Sequence, residues 1–146
     1  MKVYISGPMR SKPQYNFPAF KHAAEFLREQ GYHVFNPVEI DMLFEEKVSF
    51  DLSVEQQKLI NDDPIIIRRY VARDVHIIVH ELKGEAGDFM VTLPGWEQSV
   101  GASAEVNLAK WLHLKVLPFG EIYGKEEANK YLSTVNSGKY HSTWRW

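Results

Sequence analysis

Apolar positions along the chain change their spacing in a regular order. Val3-Tyr4-Ile5-Ser6 is a short strand-like run broken by Gly7-Pro8, and Tyr32-His33-Val34-Phe35 is a second, ended by Asn36-Pro37. Between them Pro18 opens a stretch in which Phe20, Ala23, Ala24 and Leu27 recur at helical spacing until Gly31 stops it. Strand, helix and strand within about 37 residues is the size of a right-handed βαβ unit. Residues 38 to 63 mix charge with scattered apolar positions (Ile40, Leu43, Phe44, Phe50, Leu52), a pattern that predicts short helices forming a lid or edge.

Asp62-Asp63-Pro64 has the form of a helix start, with acidic residues at the positive end of the dipole. Beyond it Ile67, Val71, Val75, Ile78 and Leu82 make an apolar stripe at steps of four, four, three and four. A turn at 83–87 leads to a third strand, Asp88 to Leu93, and Pro94 to Ser99 forms a loop. Ala102 to Leu112 is a predicted helix with Ala104, Leu108, Trp111 and Leu112 inward, and Val116 to Phe119 is a fourth strand. Alternating β and α predicts an α/β, Rossmann-like (flavodoxin-like) parallel sheet of four or five strands covered by helices on both faces. Residues 1–120 form the expected body. Residues 121–146, with Tyr131, Tyr140 and two tryptophans, read as a helix and arm packing on the body or on a neighbouring subunit.

Composition narrows the partners. The 146 residues carry 17 basic and 19 acidic side chains, a net charge of −2, which gives no footprint for a long polyanion but leaves room for a single nucleotide. There is no cysteine, so neither disulfides nor thiolate metal sites are available. No run approaches the roughly 18 apolar residues of a membrane span, and the cytoplasm is the expected compartment.

In an open parallel sheet ligands gather at the carboxyl ends of the strands, which directs attention to three loops, 7–10, 36–39 and 94–101. In Ser6-Gly7-Pro8-Met9-Arg10, Gly7 permits close approach of a ligand and Arg10 offers a fork for phosphate or carboxylate; a plain turn with a solvated Arg is the alternative. Ser99-Val100-Gly101 precedes a helix, where a hydroxyl and backbone N–H groups either converge on an anion or simply cap the helix. Neither the dinucleotide fingerprint nor the Walker pattern is present. Glu105, six residues after Ser99, is either an ionised nucleophile or a residue that favours the dipole. Asp74 falls along the edge of the Ile67–Ile78 stripe, so it must be functional or paired with Arg69, Arg73 or a neighbouring helix. His76 and His80 stand four apart, but the HExxH pattern and a third ligand are missing. The tail aromatics suit either stacking on a base or packing.

Three stretches go together: Tyr4-Ile5-Ser6-Gly7-Pro8-Met9, Asn16-Phe17-Pro18-Ala19-Phe20, and Leu93-Pro94-Gly95-Trp96-Glu97-Gln98-Ser99-Val100-Gly101-Ala102-Ser103-Ala104-Glu105. Over roughly residues 1 to 119 they resemble the nucleoside 2-deoxyribosyltransferase-like superfamily, closest to a branch common in phages. The resemblance implies that Glu105 attacks C1′ of the sugar, that Asp74 in Arg73-Asp74-Val75 handles the proton of the base, and that Tyr4 orients the nucleophile. It further implies that Ser99 binds a 5′-phosphate with Arg10 as a second contact, in a loop setting that includes Gly7, Pro8 and Gly101. Trp96 and Glu97 lie beside that anion loop, where Glu97 would repel a phosphate or bind a sugar hydroxyl. The stretch from Asp74 to Asp88 is longer than in the relatives.

The implied activity is hydrolysis of the base–sugar bond of a (deoxy)nucleoside 5′-monophosphate through a covalent ester on Glu105, with Asp74 made a proton donor by apolar neighbours. The alternatives are a deoxyribosyltransferase that exchanges bases and a nucleotide-binding module without turnover. Neither metal nor organic cofactor is expected. Relatives of this kind imply a homodimer or higher homo-oligomer that shares residues between active sites.

Overall fold

The computed structural model describes residues 1–9, 12–44 and 63–123. Four parallel strands, β1 (Lys2–Ser6), β2 (His33–Phe35), β3 (Phe89–Thr92) and β4 (Lys115–Pro118), lie in the order β2-β1-β3-β4. Val3 stands opposite Val34 on one side and Phe89 on the other, and Ser6 opposite Thr92. Helix α1 (Phe17–Glu29) follows β1, α2 (Pro37–Phe44) follows β2, and α3 (Pro64–His76) runs on into a π-helical turn at Ile77–Glu81. Helix α4 (Val100–Trp111) joins β3 to β4, and α5 (Phe119–Tyr123) comes after β4. This is the α/β, Rossmann-like architecture that the alternation of elements predicts.

The period of two along each strand sends neighbouring residues into separate cores. Val3, Ile5, Phe89 and Val91 pack with Phe20, Ala23 and Leu27 of α1 and with Phe119. Tyr4 and Met90 point the other way, against Ile77, Ile78, Leu82, Val106 and Ala109. Both faces are therefore covered, and the strands are short apolar runs rather than alternating ones. Helix starts follow local chemistry. The Asp63 carboxylate accepts from the Ile65 N–H at 2.9 Å, with Pro64 next in line, and the Ser99 hydroxyl accepts from the Ala102 N–H at 3.2 Å.

Two helix faces differ from the expected ones. In α4 the buried residues are Ala102, Val106 and Ala109; Ala104 is exposed, Leu108 is half-buried, and Trp111 and Leu112 are 82% and 39% exposed. Small side chains let this helix approach the sheet closely, and the turn capped by Ser99 sets its phase. Along the predicted stripe of α3, only Ile78 and Leu82 are buried, while Val71 and Val75 are exposed. The stripe assumes one continuous α-helix, but the π turn changes the rotation per residue at Ile77, and only the segment beyond that point reaches the sheet.

Of the predicted short helices in 38–63, α2 is described and the remainder lies outside the described residues, as does the tail from 124. Among the described residues no helix is long and apolar enough to cross a membrane.

Asp88, almost fully buried, ties the start of β1 to the turn before β3. Its Oδ1 accepts from the Lys2 N–H at 2.8 Å and its Oδ2 from the Lys83 N–H at 2.9 Å. Burial opposes the charge, but these two bonds outweigh it and hold the carboxyl below its ordinary range. Asp88→Ala would leave both donors without their acceptor, and thermal or urea unfolding should read a loss of about 2–4 kcal/mol at neutral pH. Because the folded-state value is depressed, this contribution is present above the ordinary Asp range and disappears as pH falls through the lowered one.

Candidate active site

Strand β1 hands the chain to α1 on one face of the sheet, and β3 hands it to α4 on the other. The crevice at the carboxyl ends of β1 and β3 is the place where an open α/β sheet takes its ligands. Two loops meet there closely. A Cβ on Gly7 would stand 2.8 Å from the Cβ of Leu93, and one on Gly95 would stand 3.5 Å from Pro8 Cγ. The small size expected of Gly7 for a ligand's sake thus serves contact with Leu93. Pro8 is buried, and its carbonyl accepts from the Asn16 side-chain amide at 2.9 Å. Asn16 itself sits in the left-handed region at φ 58°, where Asn is among the better-tolerated residues.

Tyr4 and Ser6, two apart on β1, present their side chains to the same face, and Glu105 of α4 meets both. The Tyr4 hydroxyl donates to Glu105 Oε2, and the Ser6 hydroxyl donates to Glu105 Oε1 at 2.9 Å. Each oxygen of the carboxylate therefore has its own donor. Glu105 reaches this position because it flanks the Ala102-Val106-Ala109 face; the face expected from Trp111 would have turned it differently.

Across the site, Arg73 and Asp74 lie in the last turn of α3. Arg73 Nη2 donates to Asp74 Oδ1 at 3.0 Å and also to Oδ1 of Asp41, a buried carboxylate of α2. Arg73 Nε makes a further, longer bond of 3.3 Å to Asp74. Asp74 is thus paired with Arg73, one of the partners that its place on the edge of the stripe leaves open.

Charge couples these groups. Burial pushes the Glu105 carboxyl up, the Asp74 charge pushes it further, and the Tyr4 and Ser6 hydrogen bonds pull it back, leaving it raised from 4.5 to about 7. Burial, followed by the charges of Glu105 and Asp74, raises the Tyr4 phenol well above its usual value, so it remains a donor. Burial works against the Arg73 cation, but Asp41 and Asp74 outweigh it and keep the guanidinium charged. A carboxylate poised near neutrality, held by two hydroxyls and facing a second carboxylate, has the parts for nucleophilic or acid–base chemistry.

Of the other predicted site residues, Ser99 caps α4, with Gly101 exposed in its first turn. Trp96 is half-buried and packs on the core that contains Tyr4, whereas Glu97 is exposed. Arg10 lies outside the described residues. The His76 and His80 rings lie with centroids 4.4 Å apart and planes tilted by 39°, and among the described residues no group of three side chains has the arrangement of a metal site. Spacing and motifs assign no role to Ser6 or Asp41. The signal for Ser6 was its two-residue offset from Tyr4; Asp41 gave none, lying in a stretch without clear periodicity.

The architecture defines a Rossmann-like α/β protein with a carboxylate site at the carboxyl end of its sheet. Residues 1–70 match the model of a domain of unknown function, DUF4406. That match includes Tyr4, Ser6 and Asp41 and ends before Arg73, Asp74 and Glu105. No curated protein and no solved structure matches the chain.

Proposed function

We propose that this protein is an N-glycosidase acting on (deoxy)nucleoside 5′-monophosphates. The observation that carries the reading is Glu105, partly buried at the mouth of the sheet, with Tyr4 and Ser6 on its two oxygens and its ionisation coupled to Asp74.

In a retaining double displacement one oxygen of Glu105 attacks C1′ as the bond to the base breaks, and the electron pair of that bond leaves with the base. Asp74, ion-paired with Arg73, relays a proton from solvent to the departing base. Water then attacks C1′, gives its proton to Asp74, and frees the sugar phosphate while the carboxylate of Glu105 is restored. The ionised form of Glu105 is the nucleophile, so kcat/KM should rise with pH through about 7.

Chromatography of free bases, after incubation with a panel of ribo- and deoxyribonucleoside 5′-monophosphates, tests the activity. Release of a base by the wild type and not by Glu105→Gln is the expected result; silence across the panel would refute the reading. At the N-terminus of α4, the Ser99 hydroxyl and the neighbouring N–H groups are proposed to take the phosphate. Ser99→Ala should accordingly raise KM for the monophosphate about tenfold or more while sparing the nucleoside. Equal effects on both substrates would place the phosphate elsewhere.

A further inference from the structure

The two donors on Glu105 are not equivalent in what they can do for the reaction. Tyr4 has a bulky ring in the core beneath the site. Ser6 has little beyond its hydroxyl, and its backbone is fixed by the sheet, with its carbonyl accepting from the Leu93 N–H at 2.9 Å and its Cα in register with Thr92. The residue is fully buried, and its hydroxyl donates to Glu105 Oε1. A backbone held against β3 and a one-carbon side chain leave that donor little freedom to follow the carboxylate if it moves.

We propose that Ser6 is a positioning residue for Glu105 whose hydrogen bond acts mainly in the second half of the reaction, when water releases the sugar from the carboxylate. The inference rests on the glycosidase reading above. A hydrogen bond to a carboxylate is about twice as strong as one to a neutral ester oxygen. In the first half Glu105 begins as a carboxylate and becomes an ester, so the bond from Ser6 stabilises the starting state more than the product. In the second half the order reverses. Water oxygen bonds to C1′, the C1′–O bond to Glu105 breaks, its electron pair returns to the carboxylate, and the water proton passes to Asp74. Negative charge grows on Oε1 and Oε2 as this happens, and a donor already in place strengthens its bond in the transition state. Ser6 therefore restrains attack slightly and speeds release.

Rapid-quench kinetics on Ser6→Ala separate the two halves. The expected result is a burst of free base at a rate within a few-fold of the wild type, followed by steady-state turnover slower by about tenfold to a hundredfold. Equal slowing of both phases, or no slowing of either, overturns the proposal. A second measurement does not depend on turnover: titration of the Glu105 carboxyl carbon by NMR. The groups that act on this carboxyl are Tyr4 and Ser6 from β1, Asp74 from α3 and Asp41 from α2. Only the Ser6 donor is lost in the variant, so the midpoint should move upward from the wild-type value. An unchanged midpoint shows that Ser6 does not hold Glu105 and overturns the proposal. If the wild type releases no base from any substrate, the glycosidase reading fails and the kinetic role of Ser6 fails with it, while the titration still decides whether Ser6 anchors the carboxylate.

Discussion

Glu105→Gln should reduce base release by about a thousandfold or more while making the folded chain more stable above pH 7. The loss follows from chemistry: a neutral amide oxygen is a poor nucleophile, and no other described carboxylate sits on both Tyr4 and Ser6. The gain follows from linkage. Glu105 has its folded-state value raised from 4.5 to about 7, so the stability contributed by its protonated form is fully present below about 4.5 and is lost as pH rises through about 7. Keeping that carboxylate ionised in the fold therefore costs on the order of 3 kcal/mol. Gln has no such cost, and the Tyr4 and Ser6 hydroxyls can rotate to suit its amide. Melting curves of the two proteins should nearly coincide at pH 4 and separate by several degrees at pH 8, with the variant higher. A variant that loses activity and also melts lower at pH 8 would mean that the carboxylate supports the fold instead of straining it.

Arg73→Met has the opposite sign. It removes the guanidinium shared by Asp41 and Asp74 and leaves two carboxylates in a partly buried space that already contains Glu105. Taking one partner from such a group destabilises by about 3–5 kcal/mol. Urea unfolding at pH 7 should show the midpoint falling with little change in slope. Adding Asp41→Asn removes one of the stranded charges and should restore part of the loss. Failure of the second substitution to restore anything would mean that Arg73 acts through packing rather than charge. Base release is a separate readout, because the same guanidinium is hydrogen-bonded to Asp74; slower release by Arg73→Met at temperatures where it remains folded would assign it an orienting role.

Much of this arrangement is legible in the chain, and the illegible parts share a cause. Strands end where Gly7-Pro8 and Asn36-Pro37 interrupt short apolar runs, and helices start where Asp63-Pro64 and Ser99 supply caps; these are local effects that need no tertiary information. Tyr4 and Glu105 stand out through residue type and motif, and the structure brings them together. Helix phase is a different matter. Whether Trp111 or Ala109 faces the sheet depends on how close the helix comes, and for Val71 and Val75 it depends on a change of helical rotation that lies beyond them in the chain. The Asp41–Arg73 pair spans 32 positions, and nothing near either residue announces the other. Ser6 lies closest to what a sequence can show, since strand geometry alone puts it on the face of Tyr4.

The π turn at Ile77–Glu81 gives chain length a chemical meaning. Each residue of a helix advances the rotation by about 100°. Deleting one residue from this turn, between the buried Ile78 and Leu82 and the exposed body of α3, would swing Arg73 and Asp74 around the helix axis and away from Glu105, although every side chain named in the site would still be encoded. Insertions and deletions are usually judged by the residues they add or remove. In this segment they act as a dial on the aim of a carboxylate, so a gap of a single codon is equivalent to a substitution in the site itself.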